Sequence, residues 1–109
     1  PMNEFFIREQ PLDKSLLIGK KSANEIKGHL EWVIDLLEDS DWSLGDIKDK
    51  EKKIVARAKE IDWKVGEVFT PIRIAIARNT ISPPLFESMY LLGKESVIKS
   101  LNQAIDILG

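Results

Sequence analysis

The chain has 109 residues, 43% of them apolar and 31% charged, a balance that fits one globular domain and excludes a disordered polypeptide. It contains no cysteine and a single histidine, His29, so disulfides and thiolate metal sites are excluded and a zinc site would need carboxylates for nearly all its ligands. The formal net charge is −2, with residues 1–41 net acidic and residues 42–109 slightly basic, so any RNA contact is expected to be local and shaped rather than a broad basic field.

At the start, Pro1 to Phe6 has no basic stretch leading into an apolar one and does not read as a signal peptide. Pro1 ahead of Met2 reads as a residue left by tag removal and is set aside. No apolar run approaches the roughly 20 residues that a membrane-spanning helix needs. The first helix is announced by Ser22 and Glu25, the serine and glutamate of a capping box. Ala23, Ile26, Leu30, Val33, Ile34 and Leu37 then recur at three- and four-residue spacing and form one apolar stripe. The segment from Glu38 to Asp41 ends it. Ser43 and Asp46 offer a second cap, followed by Ile47, Ile54, Val55, Ala58 and Ile61, with Lys48, Lys50, Lys52 and Lys53 expected on the outer side.

Trp63 to Gly66 reads as a connection. From Val68 to Ala77, Ile72, Ile74 and Ile76 alternate with Arg73, Ala75 and Ala77, which is also a strand pattern. Ala75 and Ala77 favour helix, and Pro71 suits an early helical turn better than a central strand, so the reading is helix. Arg78 to Pro84 is a loop stopped by paired prolines. A short helix over Leu85 to Leu92 should end at Gly93, a natural left-handed stop. Val97, Ile98, Leu101, Ala104, Ile105 and Leu108 make the last amphipathic helix. The expectation is a single all-α domain over residues 1–109, a compact bundle of five to six short helices.

The sequence holds little that catalyses. None of the six glycines falls in a phosphate-cradling loop, no serine sits in a nucleophile elbow, and no metal-ligand spacing is present. Asp35, Glu38 and Asp39 read as a solvated helix end, and His29 as a surface or boundary residue rather than a base. The lysines from Lys48 to Lys53 read first as an exposed helical face and second as a phosphate contact. Trp42 and Trp63 read as core anchors; Trp32 is open between core and base stacking. A binding module is favoured over an enzyme.

Three stretches then carry a resemblance. Gly66 to Ala77 contains Pro71-Ile-Arg73-Ile-Ala75; Ile81 to Glu87 contains Ser82-Pro83 before Leu85-Phe86-Glu87; and Leu91 to Glu95 contains Leu92-Gly93-Lys94-Glu95. In this order and spacing they resemble the C-terminal anticodon-binding domain of bacterial-type glutamate–tRNA ligases. The similarity extends less diagnostically to Phe5, Phe6, Leu16, Leu17 and the tryptophan before Ser43. It departs at Ala77-Arg78, where the family has a Thr-Gly turn, so Arg78 is either an added phosphate contact or the mark of a differently shaped turn.

The resemblance implies helices that hold the splayed bases of the anticodon loop of tRNA(Glu). Arg73 would hydrogen-bond a base, while Ser82, Pro83 and Leu85 would line the pocket, with Arg78 beside it. It also implies a separate catalytic domain that uses ATP and Mg, no catalytic residue, metal or cofactor in this chain, no membrane, and a cytoplasmic monomer. The physical fit is independent of the name. A guanidinium offers planar donors and a stacking face, and a proline-rigid turn presents its groups at low entropic cost. Structural readings stand beside these: Arg73 pairing with Glu87 or capping a helix, Pro83-Pro84 as a helix breaker, Leu85 as core. Two other readings of the whole are a related class I ligase, such as a lysine enzyme, and a helical protein-interaction module.

Overall fold

The computed structural model describes residues 17–19, 21–77 and 84–109. Five helices follow one another: α1 (Ala23–Glu38), α2 (Leu44–Glu60), α3 (Val65–Ala77), α4 (Leu85–Leu92) and α5 (Lys94–Leu108), with no strand among the described residues. The all-α expectation is met, and the segment that alternated like a strand is helix α3.

Local chemistry sets most of the boundaries. Ser22 Oγ accepts from the Glu25 amide at 3.2 Å while Glu25 accepts from the Ser22 amide at 3.0 Å, a complete capping box at the start of α1. Ser43 Oγ likewise accepts from the Asp46 amide at 3.2 Å and opens α2. Between them the chain turns through Trp42, whose φ of 61° is a left-handed conformation rare for a bulky residue. Two bonds hold it there. The Trp42 amide donates to Ser40 Oγ at 2.9 Å, and its indole Nε1 donates to the Met89 carbonyl of α4 at 3.3 Å.

Gly93 separates α4 from α5 and serves both. Its amide donates to the Met89 carbonyl at 3.1 Å, and its own carbonyl accepts from the Val97 amide at 3.1 Å. Its φ of 92° is positive as expected, but its ψ of 153° lies outside the left-handed helical well, in a region open essentially to glycine alone. Next to it, Lys94 Nζ donates to the carbonyls of Glu38 at 2.7 Å and Ser40 at 3.1 Å. A cation thus closes the negative end of α1, and the start of α5 is fastened to the end of α1.

One apolar cluster fills the bundle. α1 lays Ile26, Leu30, Val33 and Leu37 into it, and α5 lays Val97, Leu101 and Ala104, all 1% exposed or less. These two helices share the most extensive contact in the fold. α3 is apolar on nearly every side and packs against α1, α2 and α5, as an all-round hydrophobic helix must. Truncating a residue such as Leu101 to alanine in this setting costs about 2–5 kcal/mol.

Three sequence readings are corrected. α3 begins at Val65, so the connection before it is shorter than the Trp63 to Gly66 expected. Pro71 lies in the second turn of α3, an early turn of the helix as expected, and its missing amide leaves the i−4 carbonyl without its helical donor. Lys50 is not on the outer side but 7% exposed, between Ile47 and Ile54 on the buried face, with its ammonium 3.7 Å from Asp46. His29 is not at the boundary but 1% exposed. Trp42 and Trp63 stand half-buried at the rim of the core, as does Trp32.

Candidate nucleic-acid interface

α3 offers one charged side chain between Val68 and Ala77, and that residue is Arg73. Its helical neighbours Ile72, Ile74, Ala75 and Ile76 are buried, whereas Arg73 is half-buried. The helix therefore fixes the arginine's backbone in the core and lets its guanidinium reach a shallow cleft of about 230 Å³. Phe69, one turn earlier, forms a wall and meets Phe86 of α4 edge to face, with ring centroids 5.7 Å apart at 84°. Pro84, Leu85, Phe86 and Glu87 at the start of α4 form a second side, and Lys48 and Glu51 of α2 the third.

Of the five residues singled out by sequence, the fold brings Arg73 and Leu85 into this one cleft. Leu85 is 5% exposed, so it belongs to the core and to the cleft lining together. Arg78, Ser82 and Pro83 lie outside the described residues. Pro84 stands exposed at the N-cap of α4 and supplies no side-chain cap to the amides of the first turn. Backbone donors at a helix start favour an electron-rich partner.

Sequence reasoning did not find Glu51 or Phe69, and it named Lys48 only within a lysine run whose second reading was a phosphate contact. Phe69 was accessible, being four residues before Arg73 on the same helical face. Lys48 and Glu51 belong to another helix, and nothing in their local spacing points to α3. Around the cleft the charge is mixed. Lys48 and Glu87 stand 3.9 Å apart, both about half exposed, and such a pair contributes little to stability. Two other lysines of this run are paired as well: Lys50 with Asp46, and Lys53 with Asp49, each at 3.7 Å. The run is therefore largely neutralised within its own helix and by α4.

A second cluster lies between α1, α2 and the start of α3. His29 Nε2 is 2.8 Å from the Val68 carbonyl, which can only accept, so the ring donates from Nε2. Burial holds the His29 pKa below the ordinary value, against the Val68 carbonyl, which favours the charged form. The ring stacks on Trp32 at 6.2 Å and 14° and tilts against Trp63 at 5.3 Å. Arg57 stands 4.3 Å from the Trp32 ring centre and Lys21 stands 4.8 Å from that of Trp63. The result is a cation–aromatic–imidazole–aromatic–cation ladder, which occupies all of the faces of Trp32 and Trp63 that these contacts define and packs them on protein rather than on a base.

No described helix is long and apolar enough to cross a membrane. Among known proteins, the family described as the anticodon binding domain matches residues 1–105. The glutamate–tRNA ligase of Borrelia duttonii is 40% identical over 89 residues, which is 82% of this chain and 17% of that protein. The glutamate–tRNA ligase of Borreliella burgdorferi is 34% identical over 110 residues, covering 98% of this chain and 22% of the relative. That of Elusimicrobium minutum is 46% identical over 56 residues, 51% of this chain and 12% of its own length. The chain thus spans about a fifth of the length of the curated relatives it matches along most of its own length. No solved structure matches it. With the match running over nearly its whole length and an all-helical fold beneath it, the chain belongs to the anticodon binding domain family.

Proposed function

We propose that this chain is the anticodon-reading module of a glutamate–tRNA ligase and that it carries no catalytic step itself. Its partner is the anticodon loop of tRNA(Glu). A catalytic domain elsewhere in the longer protein binds ATP, Mg and glutamate, and the module acts as a monomer in the cytoplasm. The observation that supports this reading best is the cleft in which Arg73, fixed by a buried helix, faces Phe69, Pro84 and Leu85. A planar donor set beside aromatic and apolar surface is what an unstacked base requires.

Ser82 and Pro83 complete the pocket in this proposal, and Arg78 adds a phosphate contact beside it. The module's contribution to the ligase is specificity. Correct base contacts hold the distant acceptor end in productive geometry, so binding here is expressed as turnover there. The test is binding of this chain to a tRNA(Glu) anticodon stem-loop, alongside Arg73→Ala and a stem-loop with altered anticodon bases. Affinity should fall with salt at a log–log slope of about −0.7 per phosphate contacted. Each change should cost roughly 1–3 kcal/mol. Equal binding of the altered loop, with indifference to Arg73, would leave the domain a scaffold and refute base reading here.

A further inference from the structure

The α2 wall of the cleft continues as the outer face of that helix. Lys48 lines the cleft, and at 3.6 residues per turn Lys52, Val55 and Lys59 fall on the same stripe, all within about 60° of one another around the axis. All four residues are exposed, Val55 at 39%. From Lys48 to Lys59 the stripe runs about 16 Å along the helix. The carboxylates of α2 do not neutralise it. Asp46 and Asp49 hold Lys50 and Lys53 off the stripe, each at 3.7 Å, and Glu51 lines the cleft. Lys52 and Lys59 hold no ion pair with a described residue, and Lys48 meets Glu87 of α4 at 3.9 Å, a half-exposed pair that phosphate can displace. Lys48 and Lys52, one turn apart, repel each other, so the stripe opposes helix stability rather than serving it.

We propose that this stripe is a track for the RNA backbone, on which Lys52 and Lys59 bind phosphates of the strand that leaves the cleft. This rests on the anticodon-reading proposal and extends it from one cleft to a second surface of the domain. A strand whose base enters the cleft must leave over one of its walls. The α3 wall is the apolar Phe69, and the α4 wall carries Pro84 and the carboxylate of Glu87. Among the described walls, that of α2 leads onto a row of cations. Lysine suits the task, since a point charge on a flexible stem follows a backbone without needing the fixed fork of arginine. Val55, between Lys52 and Lys59, offers apolar surface to the sugars. Phosphate contacts fix register and carry no sequence information, so Lys52 and Lys59 are positioning residues that set which nucleotide meets Arg73. The net charge of −2 does not oppose them, because salt at about 0.1 M confines each charge to a reach of about 10 Å.

The test measures binding of this chain to the tRNA(Glu) anticodon stem-loop across a salt series. It compares wild type, the double variant Lys52→Gln/Lys59→Gln, and a charge-matched control, Lys53→Gln/Lys99→Gln, whose lysines are exposed but off the stripe. Losing two phosphate contacts should flatten the log–log salt slope by about 1.4 and weaken binding roughly 25-fold at about 0.1 M salt. The loss should be equal for a stem-loop with altered anticodon bases, and the control should keep the wild-type slope. Glutamine matches lysine in helix propensity, so an unchanged melting temperature assigns the loss to binding. If the double variant keeps the wild-type slope and affinity, the track is wrong, while anticodon reading stands or falls on Arg73. If the control loses as much as the double variant, overall charge rather than this stripe attracts RNA, and the inference fails. If wild type binds no stem-loop, the anticodon-reading proposal fails and takes this inference with it.

Discussion

Lys94 is the residue whose replacement most directly tests how the bundle is fastened. Its ammonium donates to the carbonyls of Glu38 and Ser40 at 2.7 and 3.1 Å, at the point where α1 ends and across from the start of α5. A hydrogen bond to a charged group contributes about 1.5–3 kcal/mol when protected. Lys94 is half-buried and one of its two bonds is solvent-exposed, so the lower end applies to the pair together; a cation at a helix C-terminus adds about 0.3–1 kcal/mol. Lys94→Met keeps the aliphatic stem and removes the donors, for a loss of about 2 kcal/mol. Unfolding entropy for 109 residues is roughly 0.23 kcal/mol/K, so the melting temperature should fall by about 9 °C. Thermal melts by circular dichroism of wild type, Lys94→Met and Lys94→Arg measure it, with the arginine variant recovering part of the loss. A Lys94→Met protein that melts within 2 °C or so of wild type would refute the fastening. If that same protein had also lost RNA affinity, Lys94 would be a nucleic-acid contact instead.

Gly93→Ala should destabilise by about 1–3 kcal/mol, read as a lowered urea midpoint. Among the described residues, nothing beyond its chain neighbours lies within 4 Å of the added Cβ, so backbone strain at φ 92° carries the loss. Ser22→Ala removes half of the capping box and should cost about 0.5–2 kcal/mol, and Glu25→Gln should cost less, since glutamine keeps an acceptor for the Ser22 amide. Stability should also fall as pH drops below about 6.5, because the unfolded chain then binds a proton at His29 that the folded state, with its lowered pKa, refuses. The loss grows until the folded-state pKa is passed and then levels off, and His29→Phe should flatten urea midpoints across that window if the protein folds. The depressed carboxylates act in a separate, more acidic range. Glu25, Asp41 and Glu67 are lowered chiefly by the backbone amides of Ser22, Ser43 and Lys64, so their stabilisation is present above their ordinary pKa and fades as pH falls below it.

What the sequence revealed and concealed divides along a physical line. The caps at Ser22 and Ser43 are made within four residues, so their letters were sufficient. The helical state of α3 followed from Ala75 and Ala77, which have no branched side chain to gain from a pleated surface. His29 and Lys50 were misplaced for one shared reason. Each sits within its helix's apolar stripe, at Ile26, His29, Val33 and at Ile47, Lys50, Ile54, and each was judged by its polarity rather than its register. Both are tolerated inside because each polar head finds a partner: a Val68 carbonyl for the imidazole, and Asp46 one turn back for the ammonium, its stem lying along the core. The cleft was half legible. Arg73 and Leu85 lie close in sequence to the resembling motifs, but Lys48 and Glu51 reach it only through the packing of α2 against α3 and α4.

That packing gives the motifs two separate meanings. Leu92-Gly93-Lys94-Glu95 serves the frame: the glycine allows α4 and α5 to meet at an angle only it can adopt, and the lysine fastens the joint to α1. Pro71-Ile-Arg73-Ile-Ala75 serves the cleft, and it can do so because the frame holds α3 among three other helices. A base-reading arginine on a loop would lose both backbone and side-chain freedom on binding, whereas on α3 the backbone freedom was already lost when the chain folded. Perturbing the frame should therefore lower stability first and affinity only as the domain unfolds, while perturbing Arg73 should lower affinity at temperatures where the domain is still folded. The two classes of variant separate on melts and titrations of the same samples, and a frame variant that weakened binding without melting earlier would show that the cleft depends on more than a rigid α3.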